Sequence, residues 1–550
     1  MRQLLILSIL LVSTWLAFGQ AGSPIPADAR TAMGELRKEP FRAHMAFLAD
    51  DLLEGRGTGK RGHEIAARYV AAQFEAMGLK PAGKDGTYYQ RVPLREINVE
   101  PDKCTVIITS SGSASQLKWG DDFLMRGSEV SPDASVEAPV VFVGYGVRTP
   151  DGQYDDYAGV DVKGRIVALL WGAPPSLPSE LQAHLSASRE KFRSARDHGA
   201  VGAIVLNSPK AEKGLPWPRV VIGAGFPSMR WLGLDGLPGD SFPEIKVSAL
   251  LSQSASERLF QHAPKSWADV LRDADASKPQ AFPLPVTAHM RVVSHHEAIT
   301  SPNVVALLPG SDPKLSQEYV VYTAHVDHLG IGKPINGDSI YNGAADDASG
   351  TAALLVIAQA FKSLAHAPAR SILFLGVTAE EKGLLGSDYF AHFPTVPIQS
   401  IVADINMDGA SLFYTFKDIV PLGATDSTLD AVVQRNAARL GLKVSPDPEP
   451  DQHYFVRADQ YSFVRQGVPS VFISEGEEAK DPKFDAKKFV EQWIATRYHA
   501  PSDDMDQPMD LDAAVQFMQV DFLVGYDIAQ DPQRPMWKPG DFFGESFGRK

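Results

Sequence analysis

The segment YVVYTAHVDHLG, residues 319–330, is an apolar run that leads into a histidine, His325, and the pattern recurs downstream. The runs SILFLGVT and SIVADINM, residues 371–378 and 400–407, also precede acidic residues. Runs that are apolar throughout predict strands buried on both faces of a sheet. They alternate with segments of helical spacing, which lie at residues 351–364, 429–441 and 513–529. This alternation predicts an α/β fold built on a layered sheet.

Side chains with metal-binding chemistry follow these runs. His325, the pair Glu380 and Glu381, and Asp408 come at the carboxyl ends of predicted strands, where open α/β sheets place their ligand sites. Taken singly, such a histidine or acidic pair is typical of a polar surface or a helix cap. Two histidines and three carboxylates together can hold two zinc ions if one carboxylate bridges them, and Glu380 then remains as a base for a water molecule. The candidate ligands are His325, Asp346, Glu381, Asp408 and His499.

The first residues have the pattern of a secretory signal. Arg2 supplies a positive charge, residues 4–18 are mainly apolar, and small residues at positions 17 and 19 suit cleavage before Gln20. The alternative is a membrane anchor, but the run is shorter than the ~20 residues that span a bilayer. We therefore expect an exported protein, periplasmic or secreted, with no stable membrane insertion after signal removal.

The predicted secondary structure changes along the chain. Helical spacing after the signal gives way to short Val-rich strands and loops rich in Pro and Gly, which predict a compact, mainly β domain. The segment GRGTGKRG, residues 55–62, matches G-x-G-x-x-G formally, but it follows a helix rather than a strand, so we interpret it as a flexible turn. The predicted division is a signal (1–19), an N-terminal helical segment packing on the catalytic domain (20–133), a β-rich domain (134–293), the catalytic domain (294–540) and a C-terminal tail (541–550).

Composition limits the classes of partner. The chain is 44% hydrophobic and 22% charged, as in ordinary globular proteins, and its formal net charge is −14. Since it lacks a long basic run, we expect neither nucleic acid nor anionic membranes as partners. The single cysteine, Cys104, excludes an internal disulfide.

These motifs, taken in order, resemble a known family: the secreted di-zinc aminopeptidases of the clan that also contains the glutamate carboxypeptidases. The matching residues are H-x-D at 325–327, DDASG at 346–350, the EE pair at 380–381, N-x-D at 406–408 and YHAPSD at 498–503. The resemblance implies a mixed sheet sandwiched by helices, the zinc exopeptidase fold. The β-rich segment, residues 134–293, is similar to the protease-associated domain found inserted in this family.

The resemblance also implies roles for individual residues. Asp346 would bridge two Zn²⁺ ions, and the other four ligands would complete them in pairs, His325 with Asp408 and Glu381 with His499. Glu380 would be the catalytic base. The supporting residues would be Asp327 beside His325, Asp503 beside His499, and Asp347, which is joined to Asp346 by a cis peptide.

The pocket is less defined by the sequence than the metal ligands are. Tyr454 is the candidate donor to the scissile carbonyl. Near it, this chain has Asp459-Gln460 where the family often has Asp-His, so pocket residues in that stretch are not inferred. The expected function is removal of N-terminal residues from peptides. A carboxypeptidase or dipeptidase of the glutamate carboxypeptidase type, and a catalytically decayed receptor-like binding protein, are the alternatives.

Overall fold

One long strand joins two β-sheets. The computed structural model describes residues 24–278 and 280–548; the predicted signal, residues 1–19, lies outside the described residues. The strands are β1 (Lys80–Pro81), β2 (Tyr89–Val99), β3 (Thr105–Ser110), β4 (Ser113–Gln116), β5 (Phe123–Met125), β6 (Asp133–Val143), β7 (Ile166–Leu170), β8 (Gly202–Leu206), β9 (Ser228–Trp231), β10 (Val247–Leu251), β11 (Ala281–Leu308), β12 (Tyr319–His325), β13 (Gly330–Ile335), β14 (Asp338–Tyr341), β15 (Ser371–Val377), β16 (Ile401–Asn406), β17 (Asp418–Leu422), β18 (Lys443–Val444) and β19 (Ser470–Glu475). The helices are α1 (Ala27–Ala32), α2 (Lys38–Leu48), α3 (Arg61–Ala76), α4 (Ser179–Ser186), α5 (Ser188–Asp197), α6 (Pro209–Gly214), α7 (Trp217–Gly223), α8 (Gln253–Leu259), α9 (Trp267–Asp275), α10 (Ser349–Lys362), α11 (Leu385–His392), α12 (Leu429–Arg439), α13 (Gln460–Val464), α14 (Ala486–Thr496), α15 (Leu511–Gln530) and α16 (Phe542–Phe547).

The first sheet is mixed and lies between two layers of helices. Its strand order is β9-β2-β11-β15-β12-β16-β19-β17-β18. Strands β12, β15, β16 and β19 are parallel, β11 is antiparallel to β2 and β15, and β17 is antiparallel to β19 but parallel to β18. Val320 and Tyr322 of β12 pack on the side of α10 and α15, whereas Val321 packs toward α11 and α13. Burial on both faces explains why the strands read as continuous apolar runs. The predicted α/β class, a mixed sheet sandwiched by helices, is confirmed.

The second sheet has its own core. Its strand order is β4-β3-β11-β6-β7-β8-β10-β5. Strand β11 is 28 residues long and belongs to this sheet by its first half and to the first sheet by its second half. Strands β3, β4 and β5 therefore extend this sheet into the segment 20–133, which was expected to be helical and has α-helices as far as Ala76. Strand β3 pairs with β11 and β5 with β10, and both partners begin more than 100 residues later, so no local pattern could assign these strands. The identity of the β-rich segment as a protease-associated domain stays a prediction.

Contacts outside β11 also join the β-rich segment, residues 134–293, to the catalytic domain. Trp231 Nε1 donates to Asp388 Oδ2 at 2.7 Å, and the guanidinium of Arg465 contacts Asp388 and also Asp240, at 3.2 Å for the latter. Phe543 of α16 is fully buried in a cluster formed by residues of both domains. Across residues 24–278 and 280–548, no helix has both the length and the apolar character needed to cross a bilayer.

Candidate metal centre

The five predicted ligands meet beyond the carboxyl edge of the parallel strands. His325 Nε2 lies 3.1 Å from Asp346 Oδ1 and 3.5 Å from Asp408 Oδ1. His499 Nε2 lies 3.2 Å from Asp346 Oδ2 and 3.2 Å from Glu381 Oε2. The two oxygens of Asp346 thus face two different histidines, each accompanied by one more carboxylate. This is the pairing that the resemblance implies, with Asp346 in the bridging position.

The chemistry of these groups fits a pair of divalent cations. The two pairs offer imidazole nitrogen and carboxylate oxygen, the donors that zinc accepts. His325 Nε2 is buried and has no hydrogen-bond partner among the described residues, although it is directed at two carboxylates. A cation between these groups would satisfy that nitrogen and offset the gathered negative charge.

Asp347 also lies within reach of His325 and Asp408, but its carboxylate is engaged elsewhere. Its Oδ1 accepts the backbone N–H groups of Gly350 and Gly409, each at 2.8 Å, and its Oδ2 accepts that of His325 at 3.0 Å. The Asp346–Asp347 peptide is cis, as predicted. Asp347 therefore holds the backbone around the site, and Asp346 stays the predicted ligand.

His328 is a residue that the sequence reasoning did not select. Its side chain is fully buried, and its Nδ1 lies 2.6 Å from Glu381 Oε1. His328 thus lies beside Oε1 of Glu381, while Oε2 faces His499. The only signal in the sequence was its position three residues after His325, in the same segment that follows β12.

Asp327 supports the base more than the ligand. The predicted contact of its carboxylate with His325 is long, 4.0 Å to Nδ1, and the backbone carbonyl of Asp327 is closer, at 3.1 Å. The carboxylate instead accepts the backbone N–H of Glu380 at 3.1 Å and the hydroxyl of Thr58 at 2.8 Å.

Asp503 likewise has different partners from those predicted. Its carboxylate accepts the backbone N–H groups of Ala345 at 2.9 Å and Asp346 at 3.1 Å, and it accepts a side-chain amide hydrogen of Gln507. It therefore holds the backbone of Asp346, the predicted central ligand, rather than the ring of His499. Asp503 is fully buried, which its position in an irregular segment did not indicate.

The segment interpreted as a flexible turn is instead a buried support of the site. Arg56 is 1% exposed, and its guanidinium donates to four backbone carbonyls. These bonds are Nε to Val326 at 2.9 Å, Nη1 to Leu48 and Asn342 at 2.6 Å each, and Nη2 to Gly343 at 2.9 Å. The interpretation was wrong because a glycine-rich run shows that a chain can bend, not what it will contact.

The charges of the site reinforce one another. Burial opposes protonation of the His499 ring, but the carboxylates of Glu381 and Asp346 outweigh burial and raise the pKa of His499 to about 10. Burial also opposes protonation of His325, but the carboxylates of Asp347, Asp346 and Asp408 raise its pKa well above its usual range. Contacts with both histidines outweigh burial and hold the pKa of Asp346 well below its usual range. Surroundings that favour positive charge so strongly also favour a metal ion.

Glu380 has the environment of a base. Its side chain lies close to the metal-site carboxylates, and burial, with the charges of Asp408 and Glu381, raises the pKa of Glu380 well above its usual range. A carboxylate whose pKa is raised holds a proton more readily than an ordinary one, as a general base must once it has taken the proton.

The residues around Tyr454 make contacts that do not by themselves assign a role to its hydroxyl. The Tyr454 hydroxyl donates to Glu449 Oε2 at 3.4 Å, so its role at the scissile carbonyl stays a prediction. Gln460, where the family often has histidine, is buried and accepts from Asn406 Nδ2 at 2.8 Å. Its amide therefore supports the strand end that carries Asp408.

Comparison with known proteins gives a consistent result. Residues 303–523 match the model of Peptidase family M28. Aminopeptidase NAALADL1 of Mus musculus is 25% identical over 377 residues, which cover 58% of this chain and 47% of that protein. A probable leucine aminopeptidase 2 of Aspergillus oryzae is 28% identical over 235 residues, which cover 40% of this chain and 43% of that protein. The chain thus spans less than half the length of these relatives. The solved structure of an aminopeptidase from Aneurinibacillus sp. strain AM-1 has the same fold, with a TM-score of 0.54 at 19% identity over 94% of this chain and 99% of that one.

Proposed function

We propose that this chain, whose residues 303–523 match the model of peptidase family M28, is an exported metallo-aminopeptidase that removes N-terminal residues from peptides. The observation that carries the proposal is the position of Asp346 between His325 and His499, at 3.1 and 3.2 Å. A carboxylate shared between two nitrogen donors is the arrangement of a two-metal hydrolytic centre. The names of the two curated relatives, both aminopeptidases, favour action at the N-terminus of the substrate.

Each side chain of the centre has a distinct task in this proposal. His325, Asp408 and Asp346 would hold one Zn²⁺, and Asp346, Glu381 and His499 the other. Bound zinc supplies Lewis acidity, which lowers the pKa of water and polarises a carbonyl.

Glu380 takes a proton from the attacking water at its carboxylate and later delivers it to the leaving amine. The carboxylate of Asp327 holds Glu380 in place by accepting the backbone N–H of Glu380, at 3.1 Å. The expected gain from such a positioned base is ~10²–10⁴-fold in rate.

Two alternatives remain distinguishable by experiment. A carboxypeptidase or dipeptidase would use the same ligands with a different pocket. A catalytically decayed receptor is expected to have lost ligands or the base, whereas this chain retains the five candidate ligands and Glu380. The decisive assay is a panel of aminoacyl-anilides run beside N-blocked and C-blocked dipeptides. Cleavage of the anilides and of C-blocked dipeptides, and not of N-blocked ones, is expected; the reverse preference would replace the aminopeptidase proposal with the carboxypeptidase one.

The role of the centre is tested by metal removal and by Glu380→Gln. Activity should be lost with a chelator and return with Zn²⁺, and Glu380→Gln should lower kcat at least ~10²-fold while the zinc content stays near that of the parent protein. Activity that persists after verified metal removal would refute the two-zinc proposal. Loss of zinc from Glu380→Gln would show that Glu380 is a ligand instead of the base.

A further inference from the structure

A short helix of the β-rich domain reaches the loop that carries His499. Arg219 lies in α7, and its guanidinium donates to the backbone carbonyls of Ile494 at 3.4 Å and Ala495 at 3.0 Å, and to that of Tyr498. Ile494 and Ala495 belong to the last turn of α14, whose carbonyls lack partners within the helix. The Arg219 side chain therefore caps the C-terminus of α14 and also binds the backbone of Tyr498, the residue just before the predicted ligand His499.

The loop around His499 depends on contacts of this kind. His499 has a φ of 53°, the left-handed region that residues with a side chain seldom adopt. The Tyr498 ring stacks on the His499 ring, with centroids 3.9 Å apart and an angle of 23° between the planes. Movement of the Tyr498 backbone would carry the stacked imidazole with it. Arg219 thus fixes the direction of His499 without touching it.

The segment that carries Arg219 is itself anchored at both ends. Trp217 Nε1 donates to the carbonyl of Gly120 at 2.6 Å, which fixes α7 to its own domain. Phe226, just after α7, packs edge-on against Tyr341, with ring centroids 5.4 Å apart, and lies under the ammonium of Lys382 at 5.3 Å. Lys382 directly follows the ligand Glu381. The β-rich domain therefore contacts the chain beside both ligands that belong to one metal position, Glu381 and His499.

We propose that Arg219 is a positioning residue through which the β-rich domain sets the affinity of the metal position formed by Glu381 and His499. The other position, formed by His325 and Asp408, does not depend on this contact. The inference rests on the proposed two-zinc function and adds to it a task for the β-rich domain. Outer residues that orient metal ligands typically change metal affinity ~10–100-fold when removed.

The test compares Arg219→Ala with the parent protein by zinc stoichiometry and by competition with a fluorescent chelator. We expect two zinc ions per chain in the parent, and in the variant a ~10–100-fold weaker affinity for one ion with the other unchanged. Arg219→Lys keeps the charge but not the several donors of the guanidinium, so its affinity for that ion should lie between those of the parent and Arg219→Ala. The matched control is Arg272→Ala: Arg272 lies in the same domain, is 69% exposed and pairs with Asp269 at 2.7 Å.

The possible outcomes separate the two proposals. Two ions of unchanged affinity in Arg219→Ala would overturn the positioning role and leave the two-zinc proposal standing. A parent protein that binds fewer than two ions would overturn the two-zinc proposal and this inference with it. Equal weakening of both ions, together with a lower Tm, would show that Arg219 acts on the whole fold, which also overturns the selective role. If Arg219→Ala does not fold, the zinc affinities of Arg219→Lys decide by the same criteria.

Discussion

Replacing Arg56 with alanine should destabilise the catalytic domain by at least about 4 kcal/mol. The Arg56 guanidinium makes four hydrogen bonds to backbone carbonyls, and the side chain is 1% exposed. A buried polar group left without its partner costs about 1–3 kcal/mol. Four such groups give roughly 4–12 kcal/mol, and the lower bound applies if water enters the space left by the side chain.

The expected loss is large compared with the stability of ordinary domains, about 5–15 kcal/mol in total. Since each kcal/mol corresponds to roughly 2 °C for a large domain, the Tm of Arg56→Ala should fall by about 8 °C or more. The assay is thermal unfolding followed by circular dichroism, with excess chelator in every sample so that metal content is the same. The Tm of Arg56→Lys should lie between those of the parent protein and Arg56→Ala, because one ammonium cannot reach four carbonyls arranged for a guanidinium.

The matched control is Arg61→Ala in the same segment. Arg61 pairs with Glu54 at 2.9 Å, but its side chain is 70% exposed, so its removal should cost at most about 1 kcal/mol. A Tm of Arg56→Ala within about 2 °C of that of Arg61→Ala would refute the reasoning. Such a result would mean that the four carbonyls have other donors in solution, and that the segment is the flexible turn that its composition suggests.

Two further predictions concern buried carboxylates. Burial raises the pKa of Asp426 to about 8, so the stability that this group contributes is fully present below its unfolded value near 4 and is lost as pH rises through 8. The free energy of unfolding of Asp426→Asn should therefore rise relative to that of the parent protein as pH rises from 4 to 9, by at most roughly 5 kcal/mol. Denaturant unfolding at each pH measures this, and a constant difference across that range would contradict the assignment. Asp503→Ala should weaken zinc binding ~10–100-fold, because the carboxylate holds the N–H groups of Ala345 and Asp346. Zinc competition measures this loss, the exposed Asp506→Ala serves as control, and equal affinities in the two variants would show that the loop holds Asp346 without Asp503.

Some features of the fold were accessible from local patterns. The strand β12 is apolar on both faces because helices cover both, and its end is marked by His325, where polarity returns. The same rule located Glu381 and Asp408. Only a few residue types can bind metal, so candidate ligands and their order can be recognised in the sequence.

Other features depend on residues far apart in the chain. Strand β11 divides its length between two sheets, and β3 pairs with it across more than 150 residues, so the boundary of the β-rich domain could not be read from composition. Asp503 lies more than 150 residues beyond Asp346, and only the folded chain shows that its carboxylate binds there.

The sequence by itself determined the α/β class, the ligand types and their placement at strand ends, because apolar runs and metal donors are properties of short segments. The tertiary structure alone decided that Arg56 is buried, that His328 contacts Glu381, and that Arg219 of the other domain holds the loop of His499. The physical reason is that many supporting contacts go to backbone carbonyl and N–H groups. Nearly every residue has both groups, so the sequence carries no mark of which ones are bound.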